Sequence, residues 1–445
     1  MSDPRIGGEF LAVAWAALGG DPALLDRVTA DGDADLPSPF AVGDLALGAV
    51  GAQCLAAEEL AAGDGPVPPV VLDARHVGIA FRSERFARRD GVPAGAGFAP
   101  LSRFLRAGDG WVRLHANYPQ HHAAALRALG PDPASAVAER AAQDVEDAVV
   151  AAGGVAAVVR TEQGWARHPQ GAAVRDLPLL RLDQVAAGRR RVTDLRGLRV
   201  LDLTRVIAGP VGTRTLASYG ADVLRVDSPR SLEDPAALLD TGPGKRHVDL
   251  DLADPGDRAR FEDLLGSADV LVQGYRPGAL AAFGLGTDEL AARLPELIVV
   301  SLSAWGAAGP WARRRGFDSI VQAASGIADA TRGSDGTPGT LPAQALDHAA
   351  GHLIAATVLR AVMRRAAVGG TWHGSLSLAQ LAAWLLAAPR GPADQAPPVA
   401  VDPAPYLVDL DTSSGTPTVV RPPGSPVWAH GARRVTPAQA RWESR

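Results

Sequence analysis

Residues 195–229 read LRGLRVLDLTRVIAGPVGTRTLASYGADVLRVDSP. Two apolar runs, 199–203 and 223–226, flank a Gly-Pro turn and a helical stretch over 211–219. Strand, turn, helix and strand at this spacing leave room only for a crossover connection, so the block predicts a βαβ unit with its two strands parallel. The unit opens near residue 195 of 445, so a different region occupies the long stretch before it.

Downstream, the same alternation continues. Strands are expected over 247–252, 269–273 and 297–302, with helices over 255–268, 349–364 and 377–387. That pattern implies an α/β fold built on a doubly wound parallel sheet. Upstream, residues 1–36 read as a helical lead-in ending in an Asp/Gly/Pro-rich stretch, and 40–64 carry small and apolar residues at helical spacing. Asp109-Gly110 opens a strand-like run over 111–116. Helices are expected over 121–129 and 135–152, the second with Ser135 as its N-cap. Residues 176–194 form an Arg-rich connector, and 388–405 a Pro/Ala-rich linker. The expected division is a smaller α+β region over 1–190, the sheet domain over 191–390, and a C-terminal return segment over 391–445.

Composition narrows the function classes. Hydrophobic residues make up 47% and charged residues 21%, enough to build a core. The net charge of −5 gives no basic field for nucleic acid. Cys54 is the only cysteine, so no internal disulfide can form and a cytoplasmic location is expected. The first residues lack a basic segment ahead of their apolar run, which speaks against a signal peptide. No stretch reads as an uncharged membrane span. Lys245 is the single lysine in a chain that otherwise uses arginine, which marks it as either functional or a chance survivor of composition.

A weak internal repeat is also visible. Asp44-Leu-Ala-Leu-Gly48 and Asp347-His-Ala-Ala-Gly351 each open a small-residue helix, and Leu72-Asp73-Ala74 and Leu376-Ser377-Leu378 follow at similar spacing. The first copy has no βαβ region before it, and the second lacks a counterpart of residues 111–169 after it.

The segments LRVLDLTRVIAGP, YGADVLRVDSP, GKRHVDLDL, ADVLVQGYRPGAL and RRGFDSIVQAASGI, in this order, resemble the class III CoA-transferases, a family that includes formyl-CoA and carnitine CoA-transferases and α-methylacyl-CoA racemases. The likeness covers about 195–389. More faintly, residues 40–190 resemble the family's downstream half, with Asp109-Gly110-Trp111 at the start of its small domain and WARHPQ (165–170) closing it. The chain thus looks rearranged, with a downstream half in front of an upstream half.

The resemblance implies a Rossmann-like sheet that binds CoA, acyl-CoA and a carboxylic acid as substrates, no permanently bound cofactor and no metal, and a homodimer. It places a nucleophilic aspartate at Asp347, which would form an acyl anhydride and then an aspartyl-CoA thioester. It places CoA contacts at Arg205, Val206 and Ala208, at Leu250, Asp251 and Leu252, at Gly274, Tyr275 and Arg276, and at Phe283 and Arg315. Read without the resemblance, Asp347 is a helix cap, Tyr275 a packing residue, and 313–315 an exposed charge run. Asp44 fits the Asp347 pattern but lacks a CoA-binding half of its own.

Two other functions stay open. A racemase would work by acid–base chemistry next to the thioester, yet racemases typically carry Gly-His-Asp where this chain has Gly316-Phe317-Asp318. A non-catalytic CoA-binding protein is the third reading. His348 and His352 stand one turn apart on one helix but have no accompanying glutamate or cysteine motif, so His348 is expected either to shape the acyl pocket beside Asp347 or to be a solvated neighbour.

Overall fold

The computed structural model describes residues 8–95, 97–230, 233–391 and 401–443. Residues 392–400 of the expected linker, and the first residues of the lead-in, lie outside the described residues.

The strand runs assemble into one eight-stranded sheet. Its spatial order is Arg433–Arg434, Lys245–Asp249, Asp222–Asp227, Arg199–Leu203, Val270–Gln273, Ile298–Ser303, Thr371–Ser377 and Leu180–Ala186. Every neighbouring pair is parallel except the last, where Leu180–Ala186 runs antiparallel along Thr371–Ser377. The central strands are apolar on both faces because both are covered. Val200, Val223, Val270, Val272, Ile298 and Val300 point into one core, and Leu201, Leu203, Leu224, Leu271 and Val299 into the other.

The βαβ block forms with strand Arg199–Leu203, helix Ala208–Ser218 and strand Asp222–Asp227, but Gly209 and Pro210 lie in the first turn of the helix and not in a turn before it. Three readings upstream need correction. The Arg-rich connector contains the edge strand Leu180–Ala186, whose exposed face made it look like a loop. The stretch 135–152 is two helices, Pro133–Ala138 and Ala142–Ala151. Ser135 does not cap the first of them: Asp132 does, accepting the Ser135 backbone N–H at 3.3 Å, with Pro133 in the first turn where its missing N–H costs nothing.

The front half is not a separate lobe. Helix Val42–Ala62 packs along helix Ala345–Val368, and Gln53 links the two: its Oε1 accepts from His352 Nδ1 at 3.2 Å while its Nε2 donates to the Tyr219 hydroxyl at 2.6 Å. Helix Val42–Ala62 is long and apolar enough to cross a membrane (mean hydropathy 1.3), and most of it is buried inside the protein. Gln170 forms a second joint: its side chain donates to the carbonyls of Trp305 and Ala308 and accepts from the N–H of Trp311. Trp165, Trp305 and Trp311 pack against one another at this joint. The C-terminal residues return to both halves, since Pro417–Val420 pairs with Arg88–Arg89 and Arg433–Arg434 with Lys245–Asp249.

The two segments of the suspected repeat adopt matching local structures. Strand Val70–Asp73 runs into helix Ala74–Ala80 with Asp73 capping the N–H of His76, and strand Thr371–Ser377 runs into helix Leu378–Ala387 with Ser377 capping that of Gln380.

Candidate functional site

A cleft of about 360 Å³ opens at the carboxyl ends of the central strands. It is walled by the loop after Arg199–Leu203, the turn after Val270–Gln273, residues 302–304 and 312–317, and Asp347. Leu378 adds to this side, and Tyr118, Gln120 and His121 from the front half form the facing wall, so one chain supplies both sides.

Asp347 is the third residue of helix Ala345–Val368, whose N-cap Gln344 makes no side-chain cap. Asp318 does that work from a neighbouring helix: its Oδ2 accepts the Asp347 backbone N–H at 3.1 Å, and its Oδ1 accepts from Gln322 at 2.5 Å. The Asp347 side chain is thus aimed into the cleft by a second, fully buried carboxylate. Burial pushes Asp318 up to about 6 despite these bonds. Burial, then the nearby Asp318 and Glu84 charges, raise Asp347 well above the ordinary carboxylate range. Burial would also raise Glu84, but a 3.1 Å bond to His348 Nε2 and the charge of that imidazole outweigh it and hold Glu84 low.

The loop that faces Asp347 is anchored beneath and strained above. Beneath it, Asp202 accepts from Lys245 Nζ at 3.0 Å, from the Thr213 hydroxyl at 2.5 Å and from the Thr204 N–H at 2.9 Å, all fully buried. Burial lowers Lys245 to about 8, with Asp202 pulling the other way. The single lysine is therefore a strut under the loop, its ammonium donating at one point to Asp202, the Pro210 carbonyl and Thr213. Above it, Val206 sits at φ +71°, a left-handed conformation that a β-branched residue rarely adopts. Its N–H donates to Glu233 at 2.9 Å. Helix Ala208–Ser218 then starts without a side-chain cap, its first turn at the cleft.

Of the residues singled out in sequence, Asp347, Arg205, Val206, Ala208, Gly274, Tyr275, Arg276 and Arg315 meet in this cleft. Leu250, Asp251, Leu252 and Phe283 do not line it. Leu250 is buried in the apolar core against which Leu252 and Phe283 pack, and Asp251 is engaged by Arg230 and the Ala253 N–H. The run 313–315 is not uniformly solvated: Arg314 lies 4.0 Å over Trp311 and pairs with buried Glu146 at 2.9 Å. His348 is fully buried against Phe81 and Glu84 and is not among the lining residues, so it neither shapes the pocket nor meets solvent. His352, beside the same ring, is committed to Gln53. Among the described residues no cluster of His, Cys, Asp and Glu could hold a metal ion.

Sequence reading missed the contribution of the front half. His115 stacks flat on Phe317 with centroids 3.7 Å apart, and Tyr118 and His121 complete the aromatic wall. Burial first, then neighbouring positive charge, lowers His115 to about 3 and His121 to about 4, so both imidazoles are neutral. The signal was present in HANYPQHH (115–122), a dense run of His and Tyr at the end of a strand. Asp318 was visible only as part of Gly-Phe-Asp, and nothing in sequence linked Glu84 or Glu233 to the cleft.

Residues 195–395 match the family model of CoA-transferase family III. An acyl-CoA transferase of Gibberella moniliformis is 33% identical over 302 residues, covering 60% of this chain and 53% of the relative. The acetyl-CoA:oxalate CoA-transferase of Acetobacter aceti is 39% identical over 156 residues, covering 32% of this chain and 39% of the relative. The crystal structure of Rv3272 from Mycobacterium tuberculosis aligns with TM-score 0.41 at 31% identity, over 45% of this chain and 58% of that one. The chain spans about half the length, or less, of the curated relatives it matches.

Proposed function

We propose, from the match of residues 195–395 to the model of CoA-transferase family III and from the likeness to acyl-CoA and oxalate CoA-transferases, that the chain moves CoA between two carboxylic acids with Asp347 as nucleophile. The observation that carries this reading is the placement of one cleft-facing carboxylate, Asp347, opposite the strained Arg205–Ala208 loop and the arginines at its mouth.

The Asp347 carboxylate attacks the acyl thioester carbonyl and expels CoA thiolate, leaving a mixed anhydride. The thiolate attacks the Asp347 carbonyl of that anhydride, which releases the donor acid and leaves an aspartyl-CoA thioester. The acceptor carboxylate repeats the exchange in reverse, and Asp347 leaves as a carboxylate. Asp318 orients the attacking group through the backbone of residue 347. Burial of Asp347 beside two carboxylates keeps it from ionising cheaply, which makes the carboxylate a stronger nucleophile once formed.

Several features support CoA binding in the same cleft. The strand order around Arg199–Leu203 steps outward first to one side and then to the other, as in a doubly wound Rossmann-like sheet, and the cleft lies at that reversal. The uncapped first turn of helix Ala208–Ser218 offers N–H groups to a pyrophosphate. Arg205, Arg276 and Arg315 supply charge, and Tyr275 a face for adenine. CoA and acyl-CoA are then substrates, and no permanent cofactor is part of the proposal.

The division into 1–190, 191–390 and 391–445, and the origin of the front half as a displaced copy of the downstream half, are part of the same proposal. The matching cap structures at Asp73 and Ser377 support it. Since one chain walls its own cleft, the homodimer implied by the resemblance would join two complete sites. The single buried cysteine supports a cytoplasmic assignment.

The deciding experiment is mass spectrometry of the chain quenched during turnover of an acyl-CoA. Acyl or CoA mass on the peptide containing Asp347, absent in Asp347→Ala, is the expected result. No adduct on that peptide would overturn the mechanism. One observation favours a second reading, proton exchange next to the thioester: neutral His115 and His121 surround Phe317, the position where racemases carry histidine. Exchange of the acyl α-hydrogen with deuterated solvent, without an adduct, would select it.

A further inference from the structure

Val206 holds an unfavourable backbone conformation in the middle of the loop that lines the cleft. Such strain persists only where the surroundings over-determine it. Here the restraint is Glu233. Its Oε2 accepts the Val206 N–H at 2.9 Å and Arg225 Nη2 at 3.1 Å, and its Oε1 accepts the Tyr118 hydroxyl at 2.6 Å. Glu233 and Tyr118 are both buried, and Arg225 is fully so. Arg205, the residue before Val206, lies 4.8 Å over the Tyr118 ring. The one member of this chain of contacts that comes from the front half is Tyr118, which sits 115 residues from Glu233 in sequence.

Glu233 has work only as an ion. Burial favours its neutral form, but Arg225, Arg205, the Tyr118 hydroxyl and the Val206 N–H together hold it below the ordinary range. Removing the phenol hydroxyl leaves a buried carboxylate oxygen short of its short, strong donor. Oε1 then keeps only the Asp234 N–H at 3.1 Å, so the carboxylate is held less firmly against the Val206 N–H.

We propose that Tyr118 is a positioning residue: through Glu233 it holds the Arg205–Ala208 loop in the strained conformation that accepts coenzyme A, so that the front half sets the affinity of the rear half for its ligand. This rests on the reading of the cleft as a CoA site. It also gives the front half a role beyond walling the cleft.

The test is calorimetric titration of the full chain with coenzyme A itself in four forms: wild type, Tyr118→Phe, Val206→Gly and the double variant. Tyr118→Phe keeps the ring and its stacking on Arg205, and it is expected to weaken CoA binding about tenfold. Glycine adopts φ +71° without strain. In the Val206→Gly background the same Tyr118→Phe change is therefore expected to cost less than about twofold, a dependence that a merely structural tyrosine would not show. Glu233→Gln tests the link from its other end and is expected to weaken binding in the same direction. Equal tenfold losses in both backgrounds, or no loss in Tyr118→Phe while the wild type binds, would overturn the inference and leave the CoA reading intact. A wild-type chain that does not bind CoA would overturn the CoA reading, and the inference with it.

Discussion

Asp44 and Asp347 occupy the same place in two similar helices: each is the third residue of a long helix, with a glycine four residues on. At both glycines another helix comes too close for a side chain. A Cβ on Gly48 would lie 2.7 Å from Phe10 Cδ1, and one on Gly351 would lie 2.7 Å from the Ala208 carbonyl and from Val211 Cβ. Yet Asp347 is buried at the cleft, held by Asp318 and opposed by the Arg205–Ala208 loop, while Asp44 is exposed and does not line that cleft. Partial burial raises Asp44, but no neighbouring carboxylate contributes. An aspartate in the first turn of a helix is therefore not enough. What turns the position into a candidate nucleophile is a second carboxylate on the backbone and a strained ligand loop across the gap.

The comparison can be broken outright by one pair of variants. Asp347→Ala is expected to lower CoA transfer at least about a thousandfold, and Asp44→Ala to leave it within about twofold, measured as exchange of labelled CoA between acids. The opposite pattern would move the site to the front helix. The next effect is on stability. Lys245→Met strands the buried Asp202 charge beneath the loop, and urea unfolding is expected to show a loss of about 3–5 kcal/mol.

Overpacking gives a finer contrast. Gly48→Ala and Gly351→Ala are each expected to cost about 1–3 kcal/mol of stability. Only Gly351→Ala should also weaken CoA binding, because the helix it displaces is the one that starts at the ligand loop. Equal effects on binding would mean that the two glycines are equivalent after all.

The smallest effect is pH-dependent. A carboxyl whose folded-state pKa is raised favours folding in acid and loses that advantage as pH climbs from about 4, the unfolded value, through the folded one. Asp347→Asn removes the group. Its melting temperature relative to wild type is thus expected to rise as pH goes from about 4 to neutral, whereas Asp44→Asn should show a weaker trend.

The sheet domain was legible because its strands are apolar on both faces and its turns carry Gly and Pro, as in residues 195–229. Asp347 and the Arg205–Ala208 loop became candidates only through the resemblance; periodicity alone offered a helix cap. Edge strand Leu180–Ala186 stayed hidden because consecutive exposed residues, Asp183, Gln184 and Val185, break the alternation and read like a connector. Tyr118, Glu84 and Glu233 were invisible as site residues for a different reason. Their partners Glu233, His348 and Val206 are brought to them by tertiary packing, and no local pattern encodes a bond spanning 115 or 264 residues. Lys245 was conspicuous for its rarity, but rarity did not say whether it would meet a phosphate or a buried aspartate.

The pairing of helix Val42–Ala62 with helix Ala345–Val368 also sets a condition on biosynthesis. The first helix leaves the ribosome roughly 300 residues before its partner, which at about 5–20 residues per second is a wait of about 15–60 s. Throughout that interval the face of this 21-residue apolar helix that packs on helix Ala345–Val368 stays uncovered, while helix Gly8–Ala17 can already cover another. The yield of folded chain is therefore expected to fall more steeply with translation arrest between the two helices than with arrest after residue 368, as measured by soluble protein recovered from stalled and released chains.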